Sequence, residues 1–182
     1  ALNQAQARLD AGASVFGDLL ASRGSQLRDA VRVTTADFGF KQAVATGDTP
    51  TIHSVLYNQG RRIAANLTVL ARLDGHVVAS LDGNGRSVPA GDWSGLVAGA
   101  DANASGTSVA VIGGRPYQLV IVPVRAPTPI AWVGMGFALD GKLARTLKEL
   151  TGVEVSFVAR DDGGQRWVAS TLPATGAAER DA

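Results

Sequence analysis

The 182-residue chain contains no cysteine. That excludes disulfides, thiolate metal sites and a cysteine nucleophile, and it leaves the redox compartment open. Histidine is almost absent too. His53 and His76 are the two sources of imidazole, and they lack the paired helical spacing that a catalytic zinc or iron site uses. No metal and no cofactor is expected. Charge of one sign is also missing, because 17 basic residues face 16 acidic ones for a net +1, with no long run of either. Nucleic acid is therefore not an expected partner, since it needs a basic footprint. No window approaches the roughly 20 apolar residues of a membrane span, and the start lacks the basic-then-apolar pattern of a signal peptide. No serine stands in a nucleophile elbow and no pair of acids stands out from the surface charge, so the chain is not expected to be an enzyme.

What the sequence does hold is ample apolar material, 46% of its residues, at a length that suits one domain or one plus part of another. Leu2, Leu9, Phe16, Leu20, Leu27, Val31 and Phe38 recur in steps of seven and four, which predicts one very long helix over residues 1–45. The mixed steps give an eleven-residue period and favour a nearly straight rod. Gly12, Gly17 and Gly24 are the places where it would break, each costing about 1 kcal/mol against alanine. Gly47 fits a C-cap, and Thr49 before Pro50 fits an N-cap with a first-turn proline. A second helix then carries Ile52, Val55, Leu56 and Ile63 on one face.

From Leu67 the apolar period drops to two. LTVLARL, a two-residue turn at Asp74-Gly75 and HVVASL make a β-hairpin. Residues 81–106 are rich in glycine, aspartate, asparagine and serine, with Trp93 and Leu96 as the main large apolar residues, and read as an irregular excursion with one helical turn. Three strands follow, TSVAVIG, RPYQLVIVPVRA and IAWVGMGFAL, then a helix, GKLARTLKEL, capped by Asp140 and ended near Gly152. VEVSFVAR and RWVAS form a last hairpin like that of residues 67–81, and the tail PATGAAERDA reads as disordered. The fold class expected is α+β, a long N-terminal helix plus an antiparallel five-stranded sheet flanked by helices. The expected divisions are the helix at 1–45, a core at 46–152, and at 153–182 a hairpin beginning a second subdomain with its tail.

This order of elements resembles the PAS-like Cache sensor fold. More specifically, ADFGFKQAVATGDTPTIHSVLYNQGRRIAANLTVLARLDGHVVAS at 36–80 resembles the N-terminal part of a double-Cache sensory domain, and LKELTGVEVSFVARDDGGQRWVASTLP at 147–173 a later part. The resemblance implies a place on the periplasmic side of a bacterial inner membrane, within a receptor whose spans flank this chain. It implies output modules that make or degrade cyclic-di-GMP, or a histidine kinase. It also implies a small-molecule ligand, such as an organic acid or amino acid. The stripe from Leu2 to Val31 extends farther than one domain can cover, so residues 1–35 are expected to associate in parallel, as a homodimer through the N-terminal helix. A non-binding dimerisation or spacer module would explain the same long helix.

Several short motifs need weighing. Asp37-Phe38-Gly39 matches the magnesium-holding tripeptide of protein kinases, but residues 1–36 carry no Gly-rich loop, no pairing lysine and no H-R-D loop; helix-end packing of Phe38 and Phe40 is the plain expectation. In the family this tripeptide marks the joint between the long helix and the next. DGNGRS at 82–87 opens like a calcium loop but lacks the third oxygen ligand and the closing glutamate. LPATG at 172–176 lacks the apolar span and basic tail of a sorting signal, and Asn66 and Asn103 stand in sequons that matter only in a glycosylating host. The family's pocket lies between the long loop and the sheet. There Arg72 and His76 on the hairpin, Arg86 and Trp93 on the loop, and Arg115 and Tyr117 on the fourth strand are the candidate ligand-binding residues. The aromatics would form a wall, and an arginine suits a carboxylate by bidentate pairing.

Overall fold

Helix α1, Leu2–Ala36, runs unbroken through Gly12, Gly17 and Gly24 in the computed structural model, which describes residues 2–100, 106–161 and 164–172. Its 35 residues extend about 52 Å at 1.5 Å each. The rod expected over 1–45 is two helices, because the chain turns extended at Asp37 and restarts as α2, Phe38–Thr46. Asp37 caps the new helix, its carboxylate accepting the Phe40 amide at 2.9 Å. The restart resets the helical phase. Phe40 drops into the core, whereas Phe38, expected on the apolar stripe, is 79% exposed.

Gly47 ends α2 in the left-handed conformation at φ 70°. Asp48, and not Thr49 as expected, caps α3, Thr49–Arg62, accepting the Thr51 amide at 3.0 Å and its hydroxyl as well. The sheet comprises β1 Leu67–Ala71, β2 Val77–Asp82, β3 Gly106–Ile112, β4 Arg115–Arg125 and β5 Pro129–Ala138. It is antiparallel throughout, in the order β2-β1-β5-β4-β3. The β1–β2 connection is wider than the two-residue turn expected. The Arg72 amide donates to the His76 carbonyl at 2.8 Å, and the Asp74 carboxylate accepts the His76 amide at 2.9 Å. A short helix α4, Ser94–Ala98, interrupts the loop after β2, and α5, Gly141–Thr151, follows β5 with Asp140 as its cap. A separate two-stranded sheet closes the described chain, β6 Ser156–Asp161 with β7 Gly164–Ser170. The tail from 173, most of LPATG and Asn103 lie outside the described residues.

Two apolar layers sandwich the sheet. One carries Leu70, Val120, Val122, Val133 and Met135 under Val31, Phe40, Ile52 and Leu56 of the helices. The opposite face is covered by the loop after β2. A third cluster joins α5 to the last hairpin and to Phe16 and Leu20 of α1, with the Phe16 and Phe157 rings 6.2 Å apart.

Helix α1 crosses β3 and β4 at very close range. A Cβ on Gly24 would lie 2.8 Å from Thr107 Cγ2 and 3.0 Å from Gln118 Nε2. Gln118 Nε2 donates to the Leu20 carbonyl at 2.7 Å, and Arg28 Nη2 to Thr107 Oγ1 at 3.2 Å, so three successive turns of α1 are seated on the sheet. At Gly17 nothing lies within 4 Å. The two glycines therefore respond oppositely to alanine. Gly17→Ala gains about 1 kcal/mol of helix propensity and raises the melting temperature by roughly 2–4 °C for a chain of this size. Gly24→Ala lowers it, because overpacking by about 1–3 kcal/mol outweighs that gain. Thermal melts of the two variants check the pair.

Candidate functional site

The loop-covered face of the sheet is the place where large groups meet bare backbone. In one row across the strands, Ser80, Val69, Gly134 and Ile121 stand opposite one another and point to the loop side. In the next row Leu67, Gly136 and Leu119 do the same. Strand β5 thus offers this face two glycines, Gly134 and Gly136, two residues apart. Each lies under an aromatic ring. A Cβ on Gly134 would fall 2.1 Å from Trp93 Cη2, and one on Gly136 would fall 3.2 Å from Tyr117 Cδ1. A glycine inside a strand marks close approach by another group, and here both rings use it.

The covering segment is held at its edge by the β1–β2 turn. Gly75, at φ +90°, sits so near the start of α4 that a Cβ would come 2.4 Å from the Ser94 amide nitrogen. Only a residue without a side chain fits, on both counts. The Asp92 carboxylate accepts the Ser94 amide at 3.0 Å and the Ser94 hydroxyl. That hydroxyl, followed by the amide, holds the Asp92 pKa below the ordinary carboxylate range, with a smaller contribution from His76 across the turn.

Of the residues expected to form the pocket, the structure brings Trp93 and Tyr117 into one buried cluster with Leu119, Ile121 and Trp132. Arg72, His76, Arg86 and Arg115 are all exposed. Arg72 and His76 flank Gly75 and so stand beside the covering segment. Arg86 lies at the far end of the Asp82 turn. Gly134, Gly136 and Ser80 were not singled out from the sequence, although two glycines at strand spacing in WVGMGF carry a readable signal.

The calcium-like stretch is a turn. Asp82 Oδ1 accepts the amides of Asn84 at 2.8 Å and Arg86 at 2.9 Å, and Gly85, at φ +81°, lies against the Tyr57 ring. The Arg86 amide, more than that of Asn84, holds the Asp82 pKa below its usual value. Because the folded pKa is depressed, the stabilisation is present above the unfolded value of about 3.9 and is lost as pH falls through the folded one. The melting temperature is therefore expected to drop as pH is taken below about 4, with a smaller drop in Asp82→Asn. Equal slopes in the two proteins would exclude this turn as a source.

A cavity of about 250 Å³ lies elsewhere, between α1, the end of α5 and β6, with walls that include Leu9, Phe16, Leu147 and Phe157. No group of three or more potential metal ligands occurs among the described residues.

A family profile described as "Double sensory domain of two-component sensor kinase" matches residues 2–182. The chain belongs to this double-Cache family. The double sensory domain shares its fold with the periplasmic domain of Vibrio cholerae LuxQ, at 12% identity over 90% of this chain and 78% of that one, TM-score 0.60. It is similar to the sensor domain of the V. cholerae histidine kinase DctB, at 20% identity over 95% and 67% of the two chains, TM-score 0.57. A domain of a putative sensory box/GGDEF family protein from Vibrio parahaemolyticus matches at 11% identity over 80% and 63%, TM-score 0.55. The chain thus spans about two-thirds of the length of two of these three. At these identities the likeness is one of fold. No curated protein matches the chain. The double sensory domain is a sensory unit and not a catalytic one, and among its described residues no helix is long and apolar enough to cross a membrane.

Proposed function

We propose that this domain senses a small metabolite on the periplasmic side of a bacterial inner membrane, within a receptor that carries its membrane spans and output module elsewhere. The observation that carries the reading is the loop-covered face. Two inward glycines on a central strand, two rings seated over them and a buried hydroxyl of Ser80 without a protein partner suit a binding surface better than a plain core. The similarity to one periplasmic domain, to the sensor domain of a histidine kinase and to a domain of a GGDEF family protein supports the location, and it supports a histidine kinase or cyclic-di-GMP module as output. The ligand is a small polar metabolite, an organic acid or amino acid, whose carboxylate an arginine such as Arg72 pairs in bidentate fashion.

Transmission runs through α1, which meets α2 at Asp37, the cap of α2, a joint between two rigid pieces. It requires two packed states that the ligand binds unequally. The chain works as a homodimer through α1, where Val15 and Val33 are exposed. Changing both to aspartate is expected to halve the mass seen in sedimentation, and an unchanged mass would argue against this interface.

A thermal-shift panel of carboxylates, amino acids and purines tests the sensing itself. A ligand at 100 times its dissociation constant adds about 2.7 kcal/mol, or roughly 5–10 °C here. If no compound moves the melting point, the domain is a non-binding dimerisation or spacer module instead.

A further inference from the structure

One side chain closes the loop-covered face. Trp93 is 0% exposed, with its ring directly on the Gly134 backbone. Yet the segment that carries it is tied to the sheet by packing alone. Among the described residues, 89–100 make their hydrogen bonds with one another. Trp93 Nε1 donates to the Ala90 carbonyl at 3.1 Å, Ser94 is held by Asp92, and the amides of Val97 and Ala100 donate to Trp93 and Val97 at 2.9 and 3.1 Å. Pairing with the sheet reaches only to Val88, whose amide donates to the Ser80 carbonyl at 3.1 Å. Lifting residues 89–100 therefore breaks no hydrogen bond to the strands, and segments held in that way open locally without unfolding the rest.

An independent observation lies underneath. The Ser80 hydroxyl is buried without a protein partner, in the same row as Gly134 and two strands away from it, a distance of roughly 10 Å at normal strand spacing. A buried hydroxyl left unpaired is unfavourable, and a bound molecule reaching along the row would pair it.

Building on the reading of the chain as a sensor, we infer that Trp93 is a plug. Without ligand its indole holds the seat on the Gly134 floor, and ligand binding expels it together with residues 89–100. The walls of the seat, Val69, Ile121 and Trp132, are apolar, so the ligand has a ring or branched apolar body that replaces the indole. Its polar end reaches Ser80 or leaves past the turn where Arg72 and His76 stand. A monocarboxylate or amino acid of that shape fits, whereas a short dicarboxylate with no apolar body does not.

The test has two steps on the intact domain. Native-state hydrogen exchange comes first. Amides of residues 89–100 and the Trp93 indole N–H are expected to exchange together, at least about 100-fold faster than the amides of Val133 and Met135, which is the mark of local opening. Exchange of Trp93 at the rate of those strand amides would make it fixed core and overturn the plug. Phenylacetate, succinate and the amino acids are then added to protein carrying 5-fluorotryptophan, with Trp93 assigned from Trp93→Phe. Phenylacetate or an apolar amino acid is expected to move the Trp93 signal to a solvent-exposed position and leave Trp132 in place. A compound that raises the melting point while the Trp93 signal stays buried overturns the plug and leaves the sensor reading standing. Fast exchange with no response to any compound sinks both.

Discussion

Gly134→Ala is expected to lower stability by about 3–5 kcal/mol, a fall of roughly 10 °C in melting temperature. The added Cβ would lie 2.1 and 2.2 Å from two ring carbons of Trp93, a separation that no repacking of the indole in place relieves. Gly134 sits in a central strand paired on both sides, so the strand cannot yield, and the ring must leave. The magnitude is therefore that of losing a buried tryptophan and not that of an ordinary small overpacking, for which about 1–3 kcal/mol would be usual. It has a ceiling as well. Once residues 89–100 are lifted no further contact is lost, so the loss cannot exceed the free energy that holds the segment down. Urea unfolding followed by far-ultraviolet circular dichroism gives the cost, and acrylamide quenching shows whether the indole is out.

Trp93→Ala is expected to cost a similar amount, about 3–5 kcal/mol, through lost burial and the cavity left over the glycine floor. The decisive quantity is the combination. In the Trp93→Ala background the methyl group that Gly134→Ala adds enters the space the ring has vacated, so this second substitution becomes close to neutral. The coupling then reaches about 3 kcal/mol, the upper end for residues in contact. Additive losses would mean that the two positions do not share a contact, which would undo the geometry from which the site is built.

Most of the architecture was legible in the sequence because it rests on local signals. Apolar, β-branched runs bounded by turn residues wrote the strands, the central ones buried on both faces, Asp140 and Gly152 wrote the limits of α5, and the glycine-rich 81–106 stretch announced a loop with one helical turn. The break at Asp37 was hidden in the apolar stripe, which continues across it by chance to Phe38, and showed only through the family resemblance, because the cap depends on one side-chain hydrogen bond. The β1–β2 turn carried the Asp-Gly pair of a tight hairpin, yet Gly75 is there to let Ser94 approach, a tertiary demand that no local pattern expresses. For the candidate site, the sequence named the segment that covers the sheet and, by their scarcity in an aromatic-poor chain, Trp93 and Tyr117, which the structure buries in one cluster on that face. The arginines were weaker signals, since a cation between turns is equally at home in solvent. Gly134 and Gly136 were readable in principle, as a pair sharing one face of a strand.

A ligand is expected to bind on the loop-covered face of the sheet. Amide chemical-shift mapping of the labelled domain, with the compound that gives the largest thermal shift, tests it most directly. The perturbed amides are expected to gather at Ser80, Trp93, Gly134 and Gly136, with a second group at Arg72 and His76. Perturbations gathered instead at Leu9, Phe16, Val155 and Phe157, around the cavity between α1 and β6, would contradict it.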